Sequence, residues 1–190
     1  MKRRRVALAG HQGDEATARA GLADPDNGVR ATALGALDRM GWLADDELRR
    51  ALADHAASVR RRACELAAAR PEVDLVALLD DAPEVAEAAA WAIGEQGAAD
   101  DRRVDALARV ATGQADPLCR EAAVAALGAL GAPRGLPAVL AATHDKPAVR
   151  RRAVLALAPF DGPEVEAALR AALDDRDWQV RQAAEDLLAE

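Results

Sequence analysis

The chain is almost devoid of aromatic residues: it has no Tyr, one Phe and three Trp among 190 residues. Protein interiors pack at near-crystal density, and large side chains normally fill that space. Here Ala dominates, so the interior fills only if backbones come close together, which points to tightly packed helices. Ala is also the strongest helix former. No stretch alternates β-branched and polar residues, so strands are not expected. Lys is nearly absent (Lys2 and Lys146), and the positive charge is almost all Arg. The two cysteines, Cys64 and Cys119, provide neither a disulfide framework nor a metal-ligand spacing. No run approaches the ~18 apolar residues of a membrane helix. The apolar stretch Val6–Ala9 behind the basic start is too short for a secretory signal, so the expected location is the cytoplasm. The net charge of −7 suits a soluble protein and disfavours a dedicated nucleic-acid binder, which usually carries a basic face.

What the sequence does have is a repeat. An Asp, a short polar stretch, Val-Arg and an Ala-rich run closing on Gly recur along the chain. The phrases are Asp24…Val29-Arg30…Gly41, Asp54…Val59-Arg60…Pro71 and Asp80…Val85-Ala86…Gly97, then Asp116…Cys119-Arg120…Gly131, Asp145…Val149-Arg150…Asp161 and Asp175…Val180-Arg181. The period is about 30 residues, in the range of helical solenoids. Aligned on the Val position, the fourth residue after it is always Ala: Ala33, Ala63, Ala89, Ala123, Ala153 and Ala184. The eighth is Leu37, Ala67, Ile93, Leu127, Leu157 and Leu188, on the same helix face. The eighth before the anchor is always small: Gly21, Ala51, Ala77, Ala111, Ala141 and Ala172.

Each unit therefore reads as two helices, A and B, joined by an Asp-rich turn that can cap helix B. The small residue on A and the Ala on B let the pair approach closely. One pair cannot bury its apolar face, so neighbours must stack. Residues 1–13 read as an N-terminal half-repeat that caps the stack. Six units follow, at 14–41, 42–70, 71–97, 98–131, 132–161 and 162–190, forming one domain.

The phrases Glu87-Ala-Ala-Ala-Trp-Ala-Ile-Gly-Glu-Gln-Gly97 and Arg120-Glu-Ala-Ala-Val-Ala-Ala-Leu-Gly-Ala-Leu-Gly131 closely resemble the short HEAT-like repeat of the phycobilisome-lyase type, found in many bacterial proteins. The resemblance covers nearly the whole chain. It implies an all-α, armadillo-like solenoid, a right-handed α-α superhelix with the B helices on its concave face. It also implies an adaptor or scaffold more often than an enzyme. Finally, it implies a ladder of contacts between units, made by the turn Asp and the helix-B Arg. Asp24 and Arg30, Asp54 and Arg60, and Asp175 and Arg181 keep a six-residue offset, and Arg120 and Arg150 continue the series. The third unit has Ala86 in place of the Arg; the fourth and fifth have Gln114 and His144 at the acidic position. The ladder should be weakest in the middle.

Candidate binding residues lie on the B helices. In Arg60-Arg61-Arg62 and Arg150-Arg151-Arg152 the first Arg belongs to the ladder. Arg61, Arg62, Arg151 and Arg152 either clamp an acidic surface through forked hydrogen bonds or simply solvate a helix start. Trp91 lies about 200° around helix B from the Ala89 seam, at 3.6 residues per turn. It is either an exposed binding anchor, which Leu155 would extend, or a ring lying flat over alanines. Glu65, Glu87, Glu95 and Glu121 make the middle of that face acidic between the two Arg clusters. Trp42 and Trp178 read as packing caps. His11, His55 and His144 lie in different units near turns and read as surface residues, and Cys64 and Cys119 as small core residues.

No His-Glu dipeptide, phosphate-cradling Gly loop or nucleophile motif is present. The expected function is a non-catalytic protein-binding scaffold, a monomer with no cofactor, no metal and no membrane attachment, whose partner is another protein. The alternatives are a nucleic-acid or phosphate-binding module and a tetrapyrrole lyase-like chaperone.

Overall fold

The Asp- and Pro-marked turns start helices where the repeat places them. The computed structural model describes residues 1–189. The B helices are α1 (Lys2–Gln12), α3 (Asn27–Arg39), α5 (Ala57–Ala67), α6 (Pro83–Gln96), α8 (Pro117–Leu130), α10 (Pro147–Ala156) and α12 (Trp178–Leu188). The A helices are α2 (Glu15–Gly21), α4 (Asp45–Leu52), α7 (Asp101–Gly113), α9 (Leu136–Ala142) and α11 (Pro163–Ala172). Asp14, Asp26, Asp100, Asp116 and Asp177 each cap a helix by accepting a backbone N–H. Pro opens α6, α8, α10 and α11, where its missing N–H costs nothing. Among the described residues there is no strand. Each B helix packs along the next from α1 to α12, whereas A helices touch one another sparsely. The stack is an α-solenoid.

The third unit breaks the two-helix rule. In place of helix A it has only a 3₁₀ turn, Val76–Asp80. Its anchor follows the previous one by fewer residues than in any other unit, and Pro71 interrupts the segment. A side chain fills the gap. Gln96 Nε2 lies 3.0–3.1 Å from the carbonyl oxygens of Ala67, Arg70 and Val73, so one amide pins the irregular segment to the end of α6.

The core follows the repeat columns. All six anchors and all six following alanines are buried. The next column is buried too, except Leu188, which is exposed in the last helix. The small column on helix A is not uniform: Gly21, Ala51, Ala111 and Ala172 are buried, but Ala77 and Ala141 are exposed. Ala77 has no α-helix to place it, and α9 turns Ala138 and Ala142 inward instead. Close backbone approach also occurs between B helices. A Cβ built on Gly10 would sit 2.8 Å from the Ala36 backbone, one on Gly94 3.0 Å from Ala126, and one on Gly128 2.7 Å from Ala156. Each pair joins one B helix to the next, and only glycine permits that spacing.

The ladder couples each unit to its neighbour. Arg30 closes a two-pronged fork on the Asp54 carboxylate, with both contacts at 2.8 Å. Arg60 does the same on Asp81 (2.6 Å), Arg120 on Asp145 (2.6 and 2.7 Å) and Arg150 on Asp175 (2.8 and 2.7 Å). Each Arg also donates backward to a turn carbonyl of its own unit: Asp24, Asp54, Gln114 and Asp145 respectively. The acidic partner in the third unit is thus Asp81, not Asp80, which pairs with Arg109. In the fifth it is Asp145, not the His144 position. In these two the carboxylate accepts the very next N–H, whereas Asp24, Asp54 and Asp175 accept the N–H two residues on. Lys2 meets Asp24 at 3.1 Å and ties on the cap. Arg181 contacts only the Asp175 carbonyl and has no carboxylate among the described residues. No B-helix rung joins the third and fourth units, where Ala86 and Gln114 stand; Arg109 on α7 forks on Asp80 there instead, at 2.6 and 3.0 Å. There α6 and α8, of 14 residues each, pack more extensively than any other pair.

The forks hold the carboxyls of Asp54, Asp81, Asp145 and Asp175 below the usual range, with the Arg hydrogen bonds as the largest cause. A carboxyl lowered on folding adds stability that is complete above its unfolded value of about 4 and is lost as pH falls through the folded value. Thermal unfolding should therefore be nearly level from neutral pH down to about 5 and fall steeply below 4. Asp145→Asn should cost about 2 kcal/mol at neutral pH and flatten part of the acid limb. An unchanged acid limb in that variant would remove the rung from the stability account. In a second test, Gly128→Val should destabilise by about 3 kcal/mol through overpacking. Gly113→Ala faces open space at the end of α7 and should be neutral or stabilising by about 0.5 kcal/mol in denaturant unfolding. Equal effects at the two glycines would contradict the seam.

Candidate binding surface

Helix α6 carries Glu87, Trp91 and Glu95 one turn apart, so the three share a face. The buried alanines of the seam, Ala88, Ala89, Ala90 and Ala92, turn that face away from the core. Trp91 is 46% exposed. It forms one wall of a groove of about 460 Å³ between α6 and α8, floored by Ala122, Ala125, Ala126 and Ala129. Leu118 and Glu121 form the far wall, and Arg152 reaches in from α10. Leu155, expected to extend the patch, does not line this groove, although Arg152 on the same helix does. Leu118 supplies the apolar side chain instead. It is 56% exposed at the residue before an anchor, a column not singled out in the sequence.

Much of the expected charge pattern is spent internally. Arg61 and Arg62 both pair with Glu65, at 3.2 and 2.8 Å, four and three residues along the same helix. Arg152 lies 3.4 Å from Glu121. Neither Arg62 nor Glu65 is therefore a free charge, so part of the basic–acidic–basic stripe is internally paired. Among the described residues Glu87, Glu95 and Arg151 take part in no ion pair.

A second cleft, of about 250 Å³, opens at the N-terminal end of the B row between α1, α3 and α5. Arg3, His11, Arg39 and Arg62 line it, and no carboxylate does. Arg3 Nε donates to Thr32 Oγ1 at 3.2 Å. The Arg62 guanidinium lies across Gly35, where a Cβ would stand 2.7 Å from Nη2. Sequence reading missed this cleft, since its members come from the cap and two different units.

The remaining candidates do not gather into a reactive centre. His11 ends α1, while His55 and His144 lie in separate turns, and all three are exposed. Among the described residues no group of three His, Cys, Asp or Glu is placed to hold a metal ion. Burial pushes the Cys64 thiol up to about 12 and raises that of Cys119, whose Sγ meets the Pro83 carbonyl at 3.2 Å. Trp42 and Trp178 are 42% and 64% exposed, so neither is a packing cap; Trp178 projects from the first turn of α12. No helix among the described residues is long and apolar enough to cross a membrane.

No curated protein sequence matches the chain. Solved structures do, at identities that speak for the fold alone. An engineered protein known from a crystal structure is 18% identical with a TM-score of 0.64, over 93% of this chain and 95% of that one. A designed armadillo repeat protein in complex with the peptide (KR)4 is 19% identical with a TM-score of 0.65, over 90% and 97%. Human deoxyhypusine hydroxylase in complex with glycerol is 22% identical with a TM-score of 0.52, over 99% and 78%. The profile of HEAT repeats matches residues 72–148 and 138–189, more than half of the chain. With its helix pairs stacked into a solenoid, the chain belongs to the HEAT repeat family.

Proposed function

We propose that the protein is a non-catalytic scaffold that holds a segment of another protein against its B-helix face, with Trp91 as the anchor. The observation that carries this reading is a half-exposed Trp standing in an Ala-floored groove, in a chain with almost no other aromatic side chain. Trp is over-represented among the residues that dominate binding energy, and a ring already in place loses little freedom on contact. The designed armadillo repeat neighbour, of similar fold, was solved with a bound peptide. One neighbour of similar fold is an enzyme. Here the histidines are scattered over separate units and the thiols are held protonated in the core, which favours the non-catalytic reading. The acidic middle of the face, with Glu87 and Glu95 free, favours a protein over a nucleic acid. A cytoplasmic monomer fits the reading.

Trp91→Ala should weaken capture of the main partner by about 2 kcal/mol, roughly thirtyfold in Kd, and leave the melting temperature nearly unchanged. The measurement is a quantitative pull-down with mass spectrometry from the source cell, followed by titration of the partner identified. If the variant melts several degrees lower and captures the partner as before, Trp91 is packing and the groove is not the site.

A further inference from the structure

We infer that the segment held on the B-helix face is of mixed charge, with a basic side chain over Trp91 and an acidic side chain in the N-terminal cleft, about six residues apart. This rests on the scaffold reading and adds the chemistry of the occupant. The argument is the charge left over once internal pairing is complete.

At the α6–α8 groove the remainder is negative. Glu87 and Glu95 flank Trp91 one turn on either side and join no ion pair, and Glu121 opposite shares only Arg152 at 3.4 Å. An Arg or Lys side chain laid over the indole gains a cation–π contact within ~6 Å of the ring. It also gains two carboxylates within reach of its N–H groups. An acidic side chain in the same place meets three carboxylates against the single Arg152 guanidinium, which Glu121 already shares.

At the N-terminal cleft the remainder is positive. Arg3 is tied only to a hydroxyl, and Arg39 to no acid among the described residues. Elsewhere most arginines are paired. A protein of net charge −7 thus concentrates unpaired arginines at one end of its binding face, and the local field there opposes the global charge. Gly35 keeps the cleft floor low enough for the Arg62 guanidinium to lie across it. Between the two regions, α5 presents Arg61 and Arg62 against Glu65, a neutral stretch.

The spacing follows from the helix row. From α3 to α6 there are two steps between B helices of about 8–10 Å each, hence roughly 20 Å. An extended chain at about 3.3 Å per residue covers that in about six residues. A uniformly basic segment would push cations into the arginine cleft, and a polyanion would cross Glu87 and Glu95.

The test is fluorescence anisotropy with labelled peptides of equal length and neutral spacers. One carries an arginine pair and a glutamate pair about six residues apart. The others are all-basic, all-acidic, and mixed with the charges adjacent; a single-stranded oligonucleotide is the fifth probe. The widely spaced mixed peptide should bind at least about tenfold tighter than the others, with affinity falling as salt rises. Glu87→Lys with Glu95→Lys should transfer preference to the all-acidic peptide, and Arg3→Glu with Arg39→Glu to the all-basic one. All four side chains are exposed, so both double variants should melt like wild type. Equal or tighter binding of the all-basic peptide or the oligonucleotide overturns the mixed-charge inference. If Trp91→Ala abolishes binding of the all-basic peptide, the scaffold reading stands; preference for the oligonucleotide overturns it as well. If no probe binds wild type, or binding ignores both double variants and Trp91→Ala, both readings fall together.

Discussion

An arginine fork reaching from one repeat to the turn aspartate of the next sets the geometry of this solenoid. Each such Asp does two jobs at once. One oxygen accepts a backbone N–H of its own turn, which shapes the entry to helix B. Both oxygens receive the guanidinium of the preceding unit, while that guanidinium also donates to a turn carbonyl behind it. A rung therefore fixes the turn within a unit and the orientation between two units together. Arg30 and Arg150 are buried, so an unpaired rung would leave a desolvated charge, and register errors between repeats become costly. Lys could not replace these residues, because a compact ammonium cannot close both prongs of the fork.

Packing along the B row complements the ladder. With scarcely any aromatic side chains available, the row is drawn together by glycine and alanine, as where Gly128 meets Ala156. The α6–α8 junction lacks the B-helix rung but has the most extensive contact in the row, and Arg109 on α7 forks on Asp80 beside it. An absent B-helix fork therefore does not make the middle the loosest junction, as counting rungs alone would suggest.

The solenoid was legible because its determinants recur: a column of six buried alanines cannot be mistaken once aligned. The ladder was legible in kind, but its register was not. A carboxylate can close its turn on the next residue or on the one after, so Asp81 and Asp145 serve where a fixed offset selects Asp80 and His144. The absent helix in the third unit was hinted at by its short period and Pro71, yet the role of Gln96 in holding the gap leaves no local signature. On the binding face, the pairing of Arg61 and Arg62 with Glu65 was readable from helical spacing alone. The arginine cleft was not, because α1, α3 and α5 become neighbours only through folding. Leu155 is exposed on α10 but is not part of the groove lining, since periodicity gives a residue's column but not which junction it overlooks.

The junction between the third and fourth units also differs in where its fork originates. At four other junctions the turn carboxylate is held by an Arg from a B helix. Here Arg109, on the A helix α7, closes both prongs on Asp80 at 2.6 and 3.0 Å, while α6 and α8 meet through small apolar side chains. Directional hydrogen bonds resist a change in the angle between repeats more than an apolar contact does. The Trp91 groove lies between α6 and α8, so its width follows the packing of those two helices, with the fork on the opposite row.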